Sequence, residues 1–66
     1  MQLIMKTEFD NLRLNESHSY ESDSNGDKLV VKIYCGEQLI AKKIKLKKSI
    51  RYFGIAEYQQ FLNQTD

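Results

Sequence analysis

The chain contains no proline and no tryptophan, three glycines, one histidine and one cysteine among 66 residues. Each shortage removes a class of explanation. With no proline, no internal repeat and no low-complexity run, nothing marks a linker or a second domain, and residues 1–66 are expected to form one small domain. The lone Cys35 offers no disulfide framework. Without a Cys/His pattern beside it, it argues for a reducing, intracellular setting. Three glycines cannot build a phosphate-cradling loop. The longest apolar runs, "LIM" and "LVV", are far too short to span a bilayer. The N-terminus lacks the charged-then-apolar layout of a signal peptide. The expectation is a complete cytoplasmic polypeptide. A chain this short buries a modest fraction of its surface, so stability must come from a compact core or from a partner that hides more apolar area.

Groups that carry chemistry are equally sparse. General acid–base work by His18 would need a carboxylate or nucleophile beside it. Its neighbours Ser17 and Ser19 point to the opposite face of any strand it occupies. Cys35 is expected to end a buried row, where a thiol behaves as a small hydrophobe. The alternation Glu21, Asp23, Asn25, Asp27 resembles the oxygen ligands of a calcium loop. However, the glycine falls directly after Asn25 and no closing glutamate follows. A solvated hairpin tip is the simpler reading. No enzyme, metal or cofactor is therefore expected.

What the chain does have is charge, unevenly placed. Residues 1–27 carry two cations against six carboxylates. Residues 28–53 carry eight cations against Glu37 alone, a net of +7, although the whole chain is only +1. The run "AKKIKLKKSIRYF" holds six of the ten basic residues.

Turn chemistry gives that run a geometry. Asn25-Gly26 is a strong two-residue hairpin signal, and Gly36-Glu37 suits a type II′ turn with glycine first. Taken literally, these turns make residues 17–22, 28–35 and 38–46 an antiparallel meander. Ile33 would oppose Ile40, Val31 would oppose Lys42, and Leu29 would oppose Ile44. One face then carries Leu29, Val31, Ile33, Cys35, Ile40, Ile44 and Leu46, with Lys42 as an inward misfit placed at an edge or a bulge. The other face carries Lys28, Lys32, Lys43, Lys45 and Lys47 with Tyr34, and Glu21 and Asp23 project to it.

From Ser49 as N-cap, Ile50, Gly54, Ile55, Tyr58, Phe61 and Leu62 share a helical arc, which predicts a C-terminal helix covering the apolar face. At the N-terminus Leu3, Met5, Thr7 and Phe9 alternate as in a strand, while Met5, Phe9 and Leu12 also share a helical face. The strand is preferred. The fold class expected is α+β: a small antiparallel sheet of three or four strands packed by one C-terminal helix.

Over about residues 17–64 this layout resembles the three-stranded-sheet-plus-helix modules of phage integrase arms and AP2-type DNA-binding domains. No motif is shared with them. The arginines and tryptophan of their reading sheets are absent apart from Arg51.

Two functions follow as expectations. The first is a small non-enzymatic nucleic-acid-associated accessory of phage or mobile-element type. Lys28, Lys32, Lys43, Lys45, Lys47, Lys48 and Arg51 would meet phosphates, and Tyr34 would stack. The second is a protein-binding adaptor or inhibitor using the acidic hairpin 16–27 (Glu16, Glu21, Asp23, Asp27), a sheet edge, or Tyr52 and Phe53. Association of oppositely charged halves into a homodimer is a third use. A lysine-rich face also has plain explanations, since charged residues populate any surface and lysines guard sheet edges.

Overall fold

In the computed structural model, which describes residues 1–62, the chain is a five-stranded antiparallel sheet with one helix on one face. The elements are β1 (Gln2–Leu3), α1 (Lys6–Leu14), β2 (His18–Asn25), β3 (Lys28–Cys35), β4 (Gln38–Lys45) and β5 (Ile50–Gly54), followed by a 3₁₀ turn at Tyr58–Phe61. The strand order is β1-β5-β4-β3-β2, and every neighbouring pair is antiparallel. The α+β class stands. The strand count and the position of the helix are corrected.

The expected N-terminal strand is a helix apart from Gln2–Leu3. Both periods fit this segment locally, and burial decides between them. As a helix, it places Phe9 and Leu12 in the core, 1% and 0% exposed. Glu8 reinforces the helix start. One of its carboxylate oxygens accepts from the Met5 N–H at 2.9 Å, a donor the first turn would otherwise leave orphaned. The other accepts from the Tyr58 hydroxyl at 2.7 Å, tying the helix to the far end of the described chain.

The expected C-terminal helix is β5 and the 3₁₀ turn. "IRYFG" is β-branched and aromatic, and it alternates Tyr52 toward the helix with Phe53 away from it. Gly54 ends the strand where space runs out. A Cβ there would lie 3.0 Å from Tyr58 Cβ and 3.1 Å from Ile4 Cγ2. The stripe read as helical does reach the core by this other path: Tyr58 is buried, and Ile55, Phe61 and Leu62 pack against it. With its single helix preceding the meander, the layout departs from the integrase-arm and AP2 arrangement.

The meander is present, with two shifts of register. Gly36 has φ +64 and no described non-glycine residue has positive φ, so Gly36-Glu37 forms the expected II′-type turn between Cys35 and Gln38. The preceding turn is Gly26-Asp27 rather than Asn25-Gly26. Gly26 (φ +60) takes the first central position, and Asn25 pairs with Lys28. Tyr20 thus opposes Ile33, where an Asn25-Gly26 turn would set it opposite Val31, a two-residue shift that leaves every side chain on its expected face.

The second shift changes faces. Tyr34 pairs with Leu39 and Ile33 with Ala41, which leaves Ile40 as the extra residue of a β-bulge. Ile40 and Ala41 both point into the core at 0% exposure, and the Ile40 carbonyl accepts from the Ile55 N–H at 3.0 Å. Beyond the bulge the strand is one residue out of the expected step. Lys43 and Lys45 turn to the helix side, opposite Val31 and Leu29, while Lys42 and Ile44 turn to the other side, opposite Lys32 and Val30.

The core sits at one end of the sheet, where Ile4, Phe9, Leu12, Ile33, Ile40, Ala41 and Tyr58 are buried together. A nine-residue helix is about 13 Å long and an eight-residue strand about 26 Å. The helix therefore leaves the far end of the sheet bare. There Leu46 and Ile50 are nearly half exposed.

Candidate nucleic-acid interface

Among the described residues nothing forms a layer over the face away from α1, and cross-strand register defines what it presents. One row runs Glu21, Lys32, Lys42, Phe53, Leu3 across all five strands. The next runs Asp23, Val30, Ile44, Arg51. Tyr34 and Leu39 lie on the core side of these rows and Lys28 on the far side. None of these residues is buried: Tyr34, Lys42 and Phe53 are partly exposed, and Lys28, Lys32 and Arg51 are exposed. Two aromatic rings thus flank a cross-strand lysine pair on an open sheet.

Lys32 directly opposite Lys42 is unfavourable, because like charges facing each other across a ladder destabilise a sheet. Among the described residues the only ion pair is Lys6 with Asp10, 3.4 Å apart on the exposed side of α1. No cation of residues 28–53 lies within ion-pair distance of a described carboxylate, although Lys32 faces Glu21 across the β2–β3 ladder. Glu21 and Asp23 share the open face but sit on its outermost strand, so they leave the ground between β3 and β5 to the lysines and Arg51.

The expected site residues separate into groups. Lys28, Lys32, Tyr34 and Arg51 come together on the open face. Lys43 and Lys45 do not belong with them, since the bulge sends both to the helix side. Lys43 lies over the Tyr52 ring, 5.9 Å from its centroid. Lys47 and Lys48 form the tip between β4 and β5, where the Leu46 N–H donates to the Ser49 carbonyl at 2.7 Å. Lys47 is thus off the sheet face expected for it, and Lys48 stands before a strand, not a helix. Lys42 and Phe53 are the residues the nucleic-acid reading of the sequence missed. The inward misfit of Lys42 was the signal for it.

The residues of the protein-binding reading separate too. Tyr52 packs on Phe9 with ring centroids 5.3 Å apart, whereas Phe53 faces outward. Glu21 and Asp23 lie on β2, Glu16 in the turn before it and Asp27 in the turn after it.

His18 has a structural role. Its Nδ1 lies 2.9 Å from the Leu12 carbonyl oxygen, which can only accept, so Nδ1 carries the proton and donates. The ring meets Phe61 edge-on at 6.2 Å. Cys35 is a half-buried free thiol packed against the core.

Among the described residues no helix is long and apolar enough to cross a membrane, and no three His, Cys, Asp or Glu side chains are grouped as they would be around a metal ion. No family model, curated protein or solved structure matches the chain.

Proposed function

We propose that the protein binds single-stranded nucleic acid on its open sheet face. One observation carries the reading. Lys28, Lys32, Lys42 and Arg51 share an uncovered face with Tyr34 and Phe53, and the carboxylates of that face are confined to the edge strand. Cations along an open sheet neutralise a sugar–phosphate backbone, and partly exposed rings between them supply stacking surface to unpaired bases. Every base has such a surface, so the binding carries little sequence preference. Lys47 and Lys48 extend the basic track beyond the end of the sheet.

The test is titration of a labelled oligothymidylate at rising salt. Four phosphate contacts give a slope of log K against log[salt] of about −2.8, so affinity falls about fifty-fold between about 50 and 200 mM salt. Replacing Tyr34 or Phe53 by leucine weakens binding and leaves that slope unchanged, because stacking releases no counterions. Absence of binding at the lowest salt, or an affinity indifferent to salt, overturns the proposal.

A further inference from the structure

A second surface stands apart from the open face. Strand β2 is the outer edge of the sheet, eight residues long, and all but His18 are exposed. It contains no proline, lysine or bulge, and of the usual devices that protect an edge it has only the charges of Glu21 and Asp23. The two-residue turn at Gly26-Asp27 closes on a hydrogen-bonded pair, Asn25 with Lys28. The regular ladder then directs Asn25, Asp23, Glu21 and Ser19 inward to β3, and the backbone groups of Ser24, Ser22 and Tyr20 outward. The His18 N–H fits this alternation, since it donates to the Asn15 carbonyl rather than to β3.

We infer that the β2 edge receives an extended segment of a partner protein whose residues alternate basic and apolar. Charge selects this occupant. On the open-face side, Glu21 and Asp23 stand two residues apart and attract cations on alternate positions of an added strand. On the helix side, the added strand meets a cleft of about 270 Å³ between α1 and the sheet. Phe9, Val31 and Tyr20 line that cleft, and Tyr20 is 57% exposed. Arg13, Lys43, Asp10 and Ser22 line it too; with two cations against one carboxylate, which Lys6 already holds at 3.4 Å, the helix side favours an apolar side chain over a basic one. A second copy of this chain fits poorly. The two longest antiparallel self-pairings that keep both helices on one side set Glu21 against Glu21, or Glu21 against Asp23.

The probe is an acetylated octapeptide alternating lysine and valine, compared with its glutamate–valine counterpart in a titration followed by amide chemical shifts. The lysine peptide binds at least about tenfold more tightly, and the largest shifts fall on β2. Ser22→Pro removes an outward N–H without touching the β3 ladder, and it abolishes peptide binding while oligothymidylate binding persists. The double variant Glu21→Lys/Asp23→Lys reverses the peptide preference. It also carries the test should Ser22→Pro fail to fold. Equal affinity for the two peptides, or unchanged binding by folded Ser22→Pro, overturns the inference. So does a β2-mediated dimer in sedimentation that the lysine peptide does not dissociate, or displacement of the peptide from β2 by oligothymidylate.

Discussion

Lys42 and Lys43 are adjacent and identical in type, yet they face opposite sides of the sheet. Replacing each by glutamine keeps the length of the side chain and removes its charge. At position 42 this deletes one cation of the open face. With a salt slope of about 0.7 per phosphate contact, its loss weakens single-strand binding about fivefold at 0.1 M salt and lowers the slope by about 0.7. The same change relieves the facing of Lys32 and Lys42, so the variant gains roughly 0.2–1 kcal/mol in stability. Lys42→Gln therefore binds less tightly and unfolds later. At position 43 the effect on stability changes sign and the effect on binding disappears. The charge lies on the helix side over the Tyr52 ring, so Lys43→Gln loses up to about 1 kcal/mol of stability and keeps the wild-type slope. Oligothymidylate titrations at several salt concentrations and urea unfolding of the three proteins supply all four quantities. The reasoning fails if Lys43→Gln lowers the slope and Lys42→Gln does not. It fails equally if Lys42→Gln binds more weakly only because it is less stable.

Other expectations concern the scaffold. Gly54→Ala places a methyl group 3.0–3.2 Å from carbons of Tyr58 and Ile4, inside normal contact distance, and costs about 1–3 kcal/mol in urea unfolding. Combined with Ile4→Ala it costs less than the sum of the two, since one of the three crowding carbons, Ile4 Cγ2, is gone. The Glu8 carboxyl is held below its ordinary value of 4.5, chiefly by the Met5 N–H and then by the Tyr58 hydroxyl. A folded-state value below the unfolded one means that the folded protein binds fewer protons. The stabilisation is therefore complete above the ordinary value and disappears as pH falls through the lowered one. Glu8→Gln accordingly unfolds at lower urea than wild type at about pH 6, and the gap narrows at about pH 3.

Much of the central sheet could be read from the chain. Gly36-Glu37 marked a turn because glycine takes positive φ without strain. The β3 and β4 segments followed from alternation. The N-terminal segment was ambiguous because Met5, Phe9 and Leu12 fit a helical face while Leu3, Met5, Thr7 and Phe9 fit a strand. The segment after Ser49 misled because Tyr58, Phe61 and Leu62 are core residues under either reading, and only the backbone path between them differs. The candidate site was half legible. Lys28, Lys32 and Tyr34 were named for the face they occupy, Arg51 reaches it from a strand where a helix was expected, and Lys42 was exchanged for Lys43 and Lys45.

The sequence by itself determined the charge asymmetry and the position of the tight turn at Gly36. It also determined which face each residue of β2 and β3 takes. These depend on local φ preferences and on a two-residue period, which tolerates a two-residue slip. Only the tertiary structure decided which lysines of "AKKIKLKK" share the open face. That choice rests on Ile40, whose side chain and that of Ala41 both enter the core while its carbonyl bonds to Ile55. One residue absorbed by packing reverses every side chain after it, and the contacts that absorb it come from a segment fifteen residues further along the chain.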